Sequence, residues 1–199
     1  MSKSDTPNRG RPRSERARQA ILTATLTLTR HETLRSITAD SIAKTAGVSK
    51  ATLYKWWPNK VAICLDAFSE LMAKEVAIPN HHSVRLDFIE ELKEMIRFYL
   101  SAQGRLFREF IAESQYDSLI QQEFRARFLE GRRKACQVIW DRAVKRGEVN
   151  EKIDVEIAMD LIYGPAIFRL FTNHAPLNHS IAEQIVNTVF YGMSSGIKK

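Results

Sequence analysis

The sequence predicts an all-α chain in two parts, a small three-helix N-terminal unit followed by a larger helical one. Three observations carry this. Apolar residues recur at helical spacing along most of the length, as in Val84, Phe88, Leu92, Met95 and Tyr99. A tight-turn signal, Ala46-Gly47-Val48-Ser49, joins two short helical segments. No β-hairpin signal, internal repeat or low-complexity tract intervenes.

Residues 1–13, MSKSDTPNRGRPR, are polar and basic with Gly and Pro, and are expected to be a flexible arm. A helix is expected from Ser14, an N-cap residue with Glu15 in the first turn. The stretch ILTATLTLT at 21–29 alternates apolar residues and Thr, a strand-like period. Charged SERARQ leads into it without a turn, and Ile21, Leu22, Ala24, Leu26 and Leu28 cover one broad helical face. Helix is therefore the expectation. Thr38 to Ala46 reads as a short helix with Ile42, Ala43 and Ala46 inward. Gly47 supplies the positive φ of a tight turn. Val48 plugs that turn, Ser49 is the next N-cap, and Leu53 and Trp57 face inward at i and i+4. Pro58-Asn59 opens a further helix bearing Val61, Leu65, Phe68, Leu71 and Met72.

Beyond it, Ile120, Phe124, Phe128, Gly131, Ala135, Val138 and Arg142 read as one stripe ending at Gly147. Ile157, Leu161, Pro165 and Phe168 follow Asp154 as N-cap, and Ile181, Ile185 and Val189 mark the last helix. Pro79 and Ala175-Pro176 punctuate the series. Each stripe is core before it is anything else. The resulting boundaries are an arm at 1–13, an N-terminal domain at 14–60 with its helix-turn-helix at 38–57, a connecting helix at 61–78, and a helical domain at 79–199.

Composition removes several classes. Cys64 and Cys136 have no CxxC or metal-ligand spacing, so they read as reduced, semi-buried thiols. His81-His82, His174 and His179 make no H-x3-H pattern, so no metal and no cofactor are expected. The apolar run at 161–168, LIYGPAIF, is far too short to span a membrane, and the basic N-terminus leads into no apolar signal core. A cytoplasmic protein is expected. Nucleophile elbow, phosphate loop and zinc spacing are all missing from the sequence, so catalysis has no support and no enzyme is expected.

The formal charge of +7 is concentrated at one end. Residues 1–60 hold twelve Lys/Arg and four Asp/Glu, a net of +8, whereas residues 61–199 hold eighteen and nineteen, a net of −1. A basic front end on a near-neutral body suits a polyanion partner. The two short helices joined through AGVS supply the reader. Small Ala43 lets them cross closely, and Val48 and Leu53 anchor the second on the first. That leaves a narrow polar, basic face able to enter a major groove. Short Ser49, Ala51 and Thr52 allow close approach to base edges, and Lys50 reaches guanine acceptors or a phosphate. Tyr54, Lys55 and Lys60 are placed for phosphates, which fix register without reading sequence.

The segments Thr38-Ala39-Asp40-Ser41-Ile42-Ala43, AGVSKATLY and WWPNK together resemble the DNA-binding domain of TetR/AcrR-type transcriptional regulators over residues 36–66. By position, the resemblance implies a phosphate contact at Thr38, base reading at Lys50 to Thr52, backbone contacts at Tyr54, Trp56 and Lys60, and a core role for Trp57. Thr25, Thr29 and Thr33 depart from the Ala, large apolar residue and Gly usual in the preceding helix. Residues 67–199 match only in kind, as an all-helical regulatory domain.

Three further expectations complete the reading. Arg9, Arg11 and Arg13, on a thin Gly/Pro backbone, have the form of a minor-groove arm. A single reading head buries little DNA, so a homodimer on double-stranded DNA with a palindromic site is expected. Its interface is expected on Ile157, Leu161, Tyr163 and Phe168 of one helix and Ile181, Ile185 and Val189 of the next. Phe88, Met95, Tyr99, Phe107, Phe110, Trp140 and Phe168 are candidates to line a pocket for an apolar or aromatic small-molecule effector. The expected function is a ligand-responsive repressor. The alternative is a DNA-binding adaptor whose helical domain recruits a protein; an enclosed cavity distinguishes the two.

Overall fold

The computed structural model describes residues 11–193, with side chains from residue 14 onward. Every regular element among them is helical, and the chain divides into two compact units between Ser69 and Glu70.

In the first unit, α1 runs Arg11–Thr29. It starts before the expected Ser14, because Pro12 falls in the first turn, where a missing N–H costs nothing. Residues 11–13 are therefore helical rather than a flexible arm; Arg9 lies outside the described residues. The ILTATLTLT stretch is helix as expected, and its two awkward threonines have an explanation. Thr25 and Thr29 are buried, and their hydroxyls donate back to the Ile21 and Leu26 carbonyls at 2.8 and 2.9 Å. A buried hydroxyl thus finds a partner within its own helix. Next, α2 spans Ala39–Ala46 behind a capping box made by Thr38 and Ser41. Gly47 closes it at φ 66°, in the left-handed region. The short α3, Lys50–Tyr54, is capped by the Ser49 side chain, which accepts from Thr52 N–H. Finally α4, Lys60–Glu75, which runs on past the division at Ser69, begins with Asn59 Oδ1 accepting from Ala62 N–H at 2.8 Å.

The second unit holds α5 (Val84–Leu100), α6 (Arg105–Ser114), α7 (Ser118–Phe124), α8 (Glu130–Lys145), α9 (Val155–Thr172) and α10 (His179–Tyr191). At its centre α5 packs on α6, α8, α9 and α10. All five residues of its expected stripe, Val84 to Tyr99, are buried. Its first turn is held from α8's far end: Glu148 Oε2 accepts from Val84 N–H at 2.6 Å. Buried Asp87 accepts from His81 N–H and faces Arg142 and Arg146 at 3.9 and 3.8 Å.

Two expectations on this unit are corrected. The stripe from Ile120 to Arg142 breaks its phase, because residues Arg125–Leu129 form a π-helical turn between α7 and α8. One extra residue in the turn rotates everything after it. Cys136, Ile139, Trp140 and Ala143 point inward instead of Ala135, Val138 and Arg142. Secondly, the inward face of α9 is Ala158, Met159, Ile162 and Ala166, so Ile157, Leu161, Pro165 and Phe168 look outward.

The α5–α6 corner depends on one glycine. A Cβ on Gly104 would lie 2.4 Å from the carbonyl oxygens of both Phe98 and Tyr99. Gly104→Ala is expected to cost about 1–3 kcal/mol through overpacking against backbone. Gly131→Ala, where a Cβ meets open space on α8, is expected to be neutral or to gain about 0.5–1 kcal/mol. Urea denaturation of the two variants checks the contrast, and equal midpoints would contradict it.

Candidate functional site

The helix-turn-helix surface is built by burying one side of α3 and exposing the other. Leu53 is fully buried and Trp57 nearly so, with Trp57 Nε1 donating to Asp66 Oδ2 at 2.7 Å. This rigid backing leaves Ser49, Lys50, Ala51, Tyr54, Lys55 and Trp56 exposed, while Thr52 is half-buried with its hydroxyl 3.0 Å from that of Ser49. Thr38 is exposed at the start of α2, where its side chain is engaged in the capping box.

Two lysines on this surface already have partners. Lys50 Nζ lies 2.7 Å from Asp40 Oδ1, and this hydrogen bond, ahead of the other charges nearby, raises the Lys50 pKa. Asp40 is a residue that sequence reasoning missed; its signal was an acidic side chain on an otherwise basic face. Lys60 is half-buried and donates to the carbonyls of Leu34, Arg35 and Ile37 at 3.0, 3.1 and 2.6 Å. Three ammonium donors meet three acceptors. Lys60 thus ties α4's start to the turn before α2, which is a structural task and not the free phosphate contact expected of it. Lys55 carries no such bond among those resolved.

In the second unit, a cavity of about 320 Å³ opens among α5, α6, the α7–α8 segment and α9. Of the seven candidates, Met95, Tyr99 and Phe107 line it. Phe88, Phe110 and Trp140 do not; they are buried in the core. Phe168 lies on the outer face of α9, 61% exposed. The cavity's polar end was not foreseen. There Glu91, 1% exposed, pairs with Arg132 and accepts from the Tyr163 hydroxyl at 2.6 Å. Tyr163 in turn sits 3.1 Å from Cys136 Sγ. Burial above all, and then Glu91, pushes the Cys136 thiol up to about 12 and raises the Tyr163 hydroxyl, so both stay protonated at neutral pH. A sequence signal for Glu91 existed: it stands three residues after Phe88 and four before Met95, a carboxylate on an apolar stripe.

Ile157 and Leu161 are each 55% exposed and, with Pro165, Phe168 and Phe171, form an apolar outer surface on α9. Two residues expected there do not reach it. Tyr163 turns toward Glu91, and Ile181 is buried beneath α10; Ile185 and Val189 are half-buried. No group of three or more metal-ligating side chains occurs among the described residues. No described helix is long and apolar enough to cross a membrane.

Comparison with known proteins matches both units. Residues 21–67 fit the model for bacterial regulatory proteins of the tetR family, and residues 78–189 fit that for the tetracyclin repressor-like C-terminal domain. The chain is 35% identical over 187 residues to the HTH-type transcriptional regulator YdeS of Bacillus subtilis (strain 168), covering 94% of both. The crystal structure of the TetR family transcription regulator SCO0332 superposes with a TM-score of 0.82 at 27% identity, over 89% of this chain and 98% of that one. FadR from Bacillus subtilis, solved in complex with stearoyl-CoA, shares the fold at a TM-score of 0.66 and 17% identity, over 88% and 99%.

Proposed function

The chain belongs to the tetR family of bacterial regulatory proteins, DNA-binding transcription regulators with a helix-turn-helix, and from that premise we propose that it is a ligand-responsive, homodimeric repressor of a palindromic operator. The observation that carries the reading is the exposed set Ser49, Lys50 and Ala51, with half-buried Thr52 beside them, at a helix whose other side is locked by Leu53 and Trp57. Small side chains beside one long cation, held rigidly, suit the reading of base edges in a major groove. Tyr54, Lys55 and Trp56 follow on the same surface, where the duplex backbone would run.

Residues 14–60 would bind DNA, 61–78 would connect, and 79–199 would bind the effector and the second subunit. The outer face of α9, with Ile185 and Val189 of α10 beside it, is the proposed dimer surface. A cavity of about 320 Å³ among the helices of the second unit supports a small-molecule effector over a protein-recruiting adaptor. Binding there would shift a two-state equilibrium that changes the spacing of the two reading heads. Repression is the sign for which this machinery suffices, since occupying an operator needs no surface that recruits another protein. Nothing in the proposal involves catalysis, and a cytoplasmic location follows from the DNA partner.

Selection of binding sites from random duplex DNA at near-physiological salt tests the reading. Enrichment of one palindrome is expected. Lys50→Ala is then expected to relax preference at one position per half-site, at a cost of about 1–3 kcal/mol. Uniform loss across sequences would make Lys50 a phosphate contact. Sequence-blind, salt-sensitive binding alone would refute the operator-reading function.

A further inference from the structure

The cavity has an aromatic wall and, beside it, a polar end with every charge already matched. On the aromatic side, Tyr99 and Phe107 stack with centroids 4.0 Å apart at 14°. Phe128 joins them, its ring 5.8 Å from that of Phe107. At the polar end Arg132 is paired with Glu91. Arg133 is paired through Nη2 with Asp160 and through Nη1 with Glu156 Oε2, at 2.7 Å. The Nη1 atom is buried, and its ion-pair contact with Glu156 is not an aligned hydrogen bond, so it keeps an N–H for a further acceptor.

We propose that this cavity takes an uncharged, flat aromatic compound carrying one oxygen acceptor. The proposal rests on the reading of the cavity as the effector site. A flat ring continues the offset stack of Tyr99 and Phe107. An anion or a cation would bring an unmatched charge into an apolar space whose own ion pairs are closed, which is strongly unfavourable. A neutral oxygen can accept from the Arg133 donor without breaking a pair. A volume of about 320 Å³ sits at the small end of the roughly 300–1,000 Å³ typical of ligand pockets. That favours a compact ring system over a long acyl chain.

The test titrates the purified full-length protein by calorimetry with 1-naphthol, 1-naphthoate, 1-naphthylmethylammonium and n-decanol. Release of a selected operator is followed in parallel. Saturable binding of 1-naphthol is expected, with the two ions and the alcohol weaker by about tenfold or more, a factor equal to about 1.4 kcal/mol. Tyr99→Leu and Arg133→Gln are each expected to weaken 1-naphthol by about tenfold. Phe107→Leu substitutes for Tyr99→Leu should that variant not fold. Preferred binding of either ion or of the alcohol, or binding of none of the four, overturns the proposed class. Operator release by an ion or the alcohol would leave the effector-site reading standing while the class falls. Binding of 1-naphthol without operator release would uphold the class and sink the effector reading.

Discussion

Leu161→Asp is expected to convert the protein to monomers and to weaken operator binding by roughly 10²- to 10⁴-fold. That is the range lost when two linked binding events become independent. The residue suits the test because it is already 55% exposed in the single chain. A carboxylate there disturbs no packing within the subunit, so helix content and thermal stability should hardly move. In a dimer packed through α9, the same carboxylate would be buried opposite its own copy, two like charges facing each other across a two-fold axis. Phe168→Asp should act in the same way on the same helix face. Sedimentation and operator titration read the two effects together. A variant that remains dimeric and still binds the palindrome within twofold of wild type would remove α9 from the interface.

The α9 surface also shows what was legible in the sequence and what was not. The stripe Ile157, Leu161, Pro165, Phe168 was visible by periodicity, as was its candidacy for a second subunit. Periodicity alone does not say which side of a helix meets its own core when both sides are apolar. Small Ala158 and Ala166, with Met159 and Ile162, form the true inner face. Hydrophobicity alone puts Tyr163 at the interface, but its hydroxyl needs a buried acceptor and finds Glu91 seventy-two positions away in sequence. Such a pairing leaves no local trace. The π turn is the same kind of omission. A stripe read forward from Phe124 keeps its phase only if every turn has the same number of residues, and Arg125–Leu129 adds one.

The first unit was easier to read because its determinants are local. Capping by Thr38 and Ser49, the left-handed Gly47, and the burial of Leu53 and Trp57 are each set by residues within a few positions. Lys60 marks where local reasoning stopped. Its charge suggested DNA, whereas its ammonium reaches carbonyls more than twenty residues back in sequence.

The same long-range pairing at the cavity yields the largest stability effect expected in the chain. Glu91→Leu removes the acceptor of both Arg132 and the Tyr163 hydroxyl in a site almost closed to water. Breaking one side of a buried ion pair costs about 3–5 kcal/mol, because the remaining charge stays desolvated without compensation. That is a large part of the 5–15 kcal/mol by which domains are typically stable, so Glu91→Leu should unfold at much lower urea. Arg132→Met alone should cost a comparable amount, since it strands the carboxylate instead. Together they should not add. The double variant Glu91→Leu/Arg132→Met leaves neither charge behind, only the Tyr163 hydroxyl, which still has Cys136 Sγ at 3.1 Å. It should therefore recover most of the loss of either single change, so the double-mutant cycle should return a coupling at least as large as one single loss, about 3–5 kcal/mol. Additive losses would mean that the pair is solvated in solution. In that case the polar end of the cavity would not be closed to charged ligands by its own ion pairs, and the argument for an uncharged effector would lose its electrostatic basis.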